Sequence, residues 1–183
     1  GIGPPYNLLA MSLGAMVAIS WASTAPQELA CCVLINTSLR PFSPFFRRLR
    51  PRNYLQLARF AVLNPGDHDR ETAILRMTSR MHGGNDAVLR TWVELRRTHP
   101  VSRGNALRQL LAAMRYRAPA EKPAVPLLIL TSMGDTLVHP GCSRALAAKW
   151  SSAIRIHPQA GHDIALDDGQ WLAGQVVQWL NTP

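Results

Sequence analysis

The stretch Leu8-Leu9-Ala10-Met11-Ser12-Leu13-Gly14-Ala15-Met16-Val17-Ala18 decides how this chain is read. An apolar run ends in a serine flanked by small residues, and an apolar helical run follows at once. This is the pattern of a strand-to-helix turn that lifts a serine hydroxyl out of a sheet. Such a turn is tight, and the residues two before and two after the serine nearly touch. Ala10 and Gly14 suit that crowding, although glycine is the usual first residue. The plain alternative is an ordinary helix start with Ser12 as its N-cap.

Two further segments give the serine its context. The run Val125-Pro126-Leu127-Leu128-Ile129-Leu130-Thr131 leads into Ser132-Met133-Gly134-Asp135. The run Ala153-Ile154-Arg155-Ile156-His157 leads into Pro158-Gln159-Ala160-Gly161-His162-Asp163. Serine, acid and histidine therefore each stand just past the C-terminal end of a predicted strand. The separations are 123 residues (12 to 135) and 27 residues (135 to 162). The first leaves room for an inserted domain, and the second fits one helix and one strand.

On these segments the chain resembles the α/β-hydrolases, whose triad follows the chain order Ser, Asp, His. It is most similar to small bacterial carboxylesterases with a helical lid, including those that demethylate pimeloyl-acyl-carrier esters. The matching residues are Met11-Ser12-Leu13-Gly14-Ala15-Met16, Met133-Gly134-Asp135 with Pro140 beyond, and Ala160-Gly161-His162. The resemblance implies Ser12 as nucleophile, His162 as general base and Asp135 as the residue that orients it. It implies the Leu13 N–H as one oxyanion-hole donor. His162 is expected to meet Asp135 through one ring nitrogen and the Ser12 hydroxyl through the other. No metal or organic cofactor is implied.

Gly1 stands about five residues before the serine-bearing strand, where members of this family place several strands and a second oxyanion loop. This implies a C-terminal portion of the fold. Residues 1–183 alone are then expected to be inactive and to associate through the open edge of Tyr6–Met11.

The predicted fold is a parallel α/β sheet with flanking helices and an inserted all-helical cap. Residues 1–40 carry the nucleophile part of the core, 41–120 the cap, and 121–183 the acid and histidine part. The first part reads as strand Tyr6–Met11, helix Leu13–Ser23 and strand Leu29–Asn36. Cys31-Cys32-Val33-Leu34-Ile35 is apolar without alternation, as a strand buried on both faces should be. Residues 41–120 read as three or four short helices, broken at Asn64-Pro65-Gly66, His82-Gly83-Gly84-Asn85 and His99-Pro100. The last helix, about Asp168–Leu180, is expected to bury Trp171, Leu172, Val176, Trp179 and Leu180.

Other candidate residues take plainer readings. Asp163 is a solvent or capping group, Asp167 and Asp168 belong to the last helix start, and His139 is a surface residue before a helix. Asp67-His68-Asp69 lacks the ligand set of a metal site and reads as a solvated turn. Asn36-Thr37-Ser38 matches a glycosylation triplet and carries no weight. The three cysteines read as buried thiols, which favours a reducing, cytoplasmic setting.

Charge is uneven. Residues 40–120 hold 16 Arg, no Lys and 5 acids, a net of +11 (16 minus 5), against +9 for the whole chain. One reading is a cationic cap that attracts an acidic acyl carrier protein or an acidic acyl chain. The other is compositional, since Arg outnumbers Lys 18 to 2 throughout. A hydrophobic content of 47% argues against disorder, and no apolar run is long enough to span a membrane. The function expected is hydrolysis of a small-molecule carboxylic ester. Acyl transfer and C–C hydrolysis are alternatives on the same fold. A non-catalytic basic module for an acidic partner or nucleic acid is the alternative of another class. No nucleic-acid motif is present, and the arginines lack interleaved stacking aromatics.

Overall fold

The computed structural model describes residues 3–63 and 65–182. Strand β1 (Tyr6–Met11), helix α1 (Leu13–Thr24) and strand β2 (Leu29–Ile35) form the first unit. Helices α2 (Phe45–Arg48), α3 (Tyr54–Val62), α4 (Asp67–Thr78), α5 (Asp86–Thr98) and α6 (Arg103–Arg115) follow. Strand β3 (Leu127–Ser132), helix α7 (Gly141–Trp150), strand β4 (Ala153–His157) and helices α8 (Ile164–Asp167) and α9 (Gly169–Leu180) complete the chain. The four strands make one parallel sheet in the order β1-β2-β3-β4.

The unbroken apolar run of β2 is explained by burial on both faces. Cys32 and Leu34 pack with Ile129 against Ile19 of α1 and Leu146 and Trp150 of α7. Val33 and Ile35 pack with Leu128 and Leu130 against Ile164 and Leu172, on the side of α8 and α9. Successive side chains of a strand point to opposite faces, so a strand clamped between two helical layers is apolar at every position. Among the described residues β1 pairs only with β2, and Leu9 on it is 55% exposed. In α9 Leu172 is buried and Trp171, Val176 and Trp179 are half-buried. Leu180, on the last turn of the helix, lies exposed.

Among the described residues the insert between β2 and β3 holds five α-helices, where the sequence suggests three or four. The extra one is α2, four residues long, which starts after Pro44 and ends before Pro51. Asn85 caps α5 by accepting from Ala87 N and Val88 N, and Ser102 caps α6 by accepting from Asn105 N. Helices α4 and α5 are joined by Arg96, which donates to Asp67 at 2.8 Å and to Glu71 at 3.5 Å. The chain leaves and rejoins the core side by side, with Ala118 N donating to Arg40 O at 2.8 Å.

Several bonds then tie the insert to the loop after β3. Arg50 N donates to Leu137 O and His139 N to Arg47 O, both at 2.9 Å. The Arg50 guanidinium donates to Asp135 O and Asn53 Nδ2 to Thr136 O, also at 2.9 Å. All three cysteines are free and buried, and burial raises their thiol pKa values, that of Cys32 to about 11. Among the described residues no helix is long and apolar enough to cross a membrane.

Candidate active site

Ser12 occupies the single residue between β1 and α1, with φ 53° and ψ −117°. A positive φ at a residue with a Cβ is strained by about 1–3 kcal/mol and persists only where its surroundings enforce it. Here they do. Ser12 N donates to Ile35 O at 2.9 Å, and Ser12 O accepts from the Thr37 hydroxyl at 3.0 Å and from Ala15 N at 3.2 Å. The Ser12 side chain makes no capping hydrogen bond to α1, so it is not serving as an ordinary N-cap. The Leu13 N–H, first in the helix, has no hydrogen-bond partner among the described residues. The crowding expected at Gly14 is absent: a Cβ there would meet no atom within 4 Å, because it points into open space.

Asp135 and His162 come together although 27 residues separate them (135 to 162). His162 Nδ1 lies 2.8 Å from Asp135 Oδ2. The second carboxylate oxygen, Oδ1, accepts from Leu137 N at 2.8 Å and Val138 N at 2.9 Å. Asp135 is 1% and His162 3% exposed, so the pair is shielded from competing water. With Nδ1 engaged by the acid, Nε2 is left for another group. The expected third contact is not made: the hydroxyl of Ser12 and His162 share no hydrogen bond in this structure.

Two residues that sequence reasoning set aside hold this geometry. Asn36, at φ 44° and fully buried, follows β2 directly. Its Oδ1 accepts from Ser132 N at 2.9 Å, and its Nδ2 donates to His162 O at 2.7 Å. It thereby ties the ends of β2 and β3 to the histidine loop, and its triplet is buried with it. Asp167 is also buried and is no helix cap. Its carboxylate accepts from Gly161 N at 2.6 Å, Arg80 N at 2.9 Å, Met81 N at 3.2 Å and the Ser79 hydroxyl. It staples the segment after α4 to the residue before His162.

Two glycines allow the loops this close. A Cβ on Gly134 would stand 2.3 Å from Gln159 O, and one on Gly161 would stand 2.5 Å from Thr78 O. Both lie in motifs legible in the sequence, Met133-Gly134-Asp135 and Ala160-Gly161-His162.

The remaining candidates have ordinary roles. Asp163 caps α8 and Asp168 caps α9, through Leu166 N and Trp171 N. His139 is half-buried, and its Nδ1 accepts from Gly141 N at the start of α7. His68 is exposed, 3.8 Å from Asp69, and no group of three His, Cys, Asp or Glu that could hold a metal occurs among the described residues.

Ser12 opens on a cavity of about 640 Å³. Met16, Leu57, Leu110, Met114 and Val138 give it a mainly apolar wall, with α6 and α3 of the insert facing α1 of the core. The strained serine turn, which opens on the apolar chamber, and the buried acid–imidazole pair thus follow strands of the same parallel sheet at their C-terminal ends.

Comparison with known proteins agrees with this architecture. The chain is similar to a thermophilic esterase from Thermogutta terrifontis, at 21% identity and a TM-score of 0.70 over 97% of this chain and 65% of that one. It is similar to an enol-lactonase from Burkholderia xenovorans, at 20% identity and a TM-score of 0.76 over 98% and 66%. It is also similar to a 2-hydroxy-6-oxo-6-phenylhexa-2,4-dienoate hydrolase from Rhodococcus, at 13% identity and a TM-score of 0.73 over 98% and 65%. The chain therefore spans about two thirds of the length of these structures. No curated protein matches the sequence. The alpha/beta hydrolase family pattern matches residues 1–175, and the chain belongs to that family.

Proposed function

We propose that this chain carries the catalytic residues of a serine hydrolase that cleaves carboxylic esters. The observation that carries the reading is the buried 2.8 Å His162–Asp135 pair at the same sheet edge as a strained, uncapped serine. The neighbouring chamber suits an acyl chain.

The chemistry follows from the groups present. The Ser12 hydroxyl attacks the ester carbonyl while His162 Nε2 takes its proton. The Asp135 carboxylate, already fixed by two backbone N–H groups, holds the imidazole tautomer and stabilises the imidazolium. The carbonyl oxygen becomes an oxyanion, and the unpartnered Leu13 N–H donates to it. Collapse breaks the C–O bond to the alcohol, which leaves with the proton from His162. An acyl-serine remains. Water then attacks it, again through His162, which releases the acid and restores the Ser12 hydroxyl.

Substrates of acidic character fit the charge of the insert, whose arginines are largely exposed. An acidic acyl carrier or an acidic acyl chain is the partner that this charge suits. The test is hydrolysis of p-nitrophenyl acetate and butyrate by the full-length protein. Activity is expected, and it is expected to vanish in Ser12→Ala and His162→Ala. Activity retained in folded Ser12→Ala would overturn the assignment.

A further inference from the structure

Arg48, at the end of α2, stands on the wall of the cavity beside Ser12. It is the only charged residue among the described residues that line it. Its Nη2 donates to Ala113 O of α6 at 2.6 Å. Its Nε is buried and has no hydrogen-bond partner among the described residues. No carboxylate of the described residues pairs with it. Arg96, the cation between α4 and α5, shows the contrast, since it holds Asp67 and Glu71.

Arg48 is half-buried; a cation drawn partly out of water without a counter-ion is costly, and a guanidinium cannot escape the cost by losing its proton at neutral pH. Burial lowers the Arg48 pKa, Cys142 opposes the shift and the neighbouring Arg40 adds to it. The cation therefore stands without a paired carboxylate, on the wall of a chamber that otherwise suits hydrocarbon.

We propose that the missing anion arrives with the substrate: the cavity takes acyl groups that end in a carboxylate, and Arg48 selects them. The preferred ester is then a half-ester of a dicarboxylic acid. Its carbonyl meets Ser12, its methylenes lie along the apolar wall, and its far carboxylate accepts from the Arg48 N–H groups. A cavity of about 640 Å³ holds such a chain, being within the range of about 300–1,000 Å³ common for small-molecule sites. Paired guanidinium N–H donors match two carboxylate oxygens, which a methyl or ester chain end cannot reproduce. Hydrolysis places the water oxygen on the acyl carbon and a proton on the departing alcohol, and the far carboxylate is unchanged. The product is a dicarboxylate. This assignment rests on Ser12 being the nucleophile only in fixing which end of the substrate reacts.

Monomethyl adipate and dimethyl adipate separate the possibilities, since they differ only in the far carboxyl group. With the full-length protein, kcat/KM is expected to favour the half-ester by roughly tenfold or more, mainly through KM. In Arg48→Met the two values are expected to converge. The wild-type comparison needs no variant, so equal kcat/KM for the two esters overturns the proposal even where Arg48→Met fails to fold. A second arm is independent of turnover. Calorimetry on Ser12→Ala is expected to show tighter binding of monomethyl than of dimethyl adipate, lost when Arg48→Met is added. If neither ester is hydrolysed but this binding difference holds, esterase function falls and the role of Arg48 stands. Equal binding of the two esters overturns it.

Discussion

Replacing Asp167 by alanine should loosen the joint between the helical insert and the histidine loop. The carboxylate serves four donors. Arg80 and Met81 are exposed, so water replaces the acceptor for their N–H groups. Ser79 and Gly161 are buried, and their donors are left without an acceptor. Each buried orphan costs about 1–3 kcal/mol, so the pair costs about 2–6 kcal/mol. For a domain of this size, a loss of about 4 kcal/mol lowers Tm by roughly 8–16 °C. Asp167→Asn offers no escape, because each carboxylate oxygen accepts from two donors and either orientation of the amide sets its NH₂ against donors.

Acid unfolding supplies the sign. Burial pushes the Asp167 pKa up, but the hydrogen bonds from Ser79, Arg80, Gly161 and Met81 outweigh it, and the net shift is downward. The unfolded chain then holds the extra proton between the folded value and the ordinary Asp value of about 3.9. The Asp167 contribution is complete above about pH 4 and is lost as pH falls through the folded pKa. Urea titrations of wild type and Asp167→Ala at a series of pH values test this. The stability gap should be constant from about pH 5 to 8 and close on the acid side. A gap below about 0.5 kcal/mol at pH 7, the scatter of an ordinary surface change, would refute the reasoning.

Three other outcomes follow from the packing. Gly134→Ala should destabilise by about 1–3 kcal/mol or more and lower kcat, because a Cβ 2.3 Å from Gln159 O forces the acid loop away from His162; circular dichroism melts and ester kinetics read both effects. Asn36→Ala should cost about 2–4 kcal/mol in urea unfolding, since it orphans the buried Ser132 N–H and forces alanine into a positive φ. Leu34→Ala, at a fully buried position of β2, should cost about 2–5 kcal/mol without changing KM.

The strands were legible because their signals are local, and the pairing of acid with histidine followed from the resemblance to the α/β-hydrolases. An apolar run such as Leu127–Leu130 marks a buried strand by itself, and the glycine beside each polar residue marks a tight loop. Ser12 was legible for the same reason, as a serine with no spacer between strand and helix. Asn36 and Asp167 were illegible because their partners are distant in sequence. Asn36 meets His162 across 126 residues and Asp167 meets Ser79 across 88. Nothing in Asn36-Thr37-Ser38 or Leu166-Asp167-Asp168 distinguishes a tertiary staple from a sugar acceptor or a helix cap. The adjacent aspartates look alike in sequence, yet Asp168 caps α9 while Asp167 faces the insert. Helix α2 escaped notice because four residues between prolines are too short to show a period. Arg48 could not be told apart from its neighbours, since sixteen arginines share that region and only the packed structure shows which one lines the cavity beside Ser12.

Fluorophosphonate labelling tests the role of Ser12 most directly, because only an activated hydroxyl attacks the phosphorus centre. The full-length protein would be labelled at neutral pH, digested, and the adduct mapped by mass spectrometry. One adduct on the peptide that contains Ser12 is expected, absent in Ser12→Ala and slowed by roughly a hundredfold or more in His162→Ala, which removes the proposed general base. Labelling of Ser12→Ala at the wild-type rate, or an adduct mapped to any other serine, would contradict it.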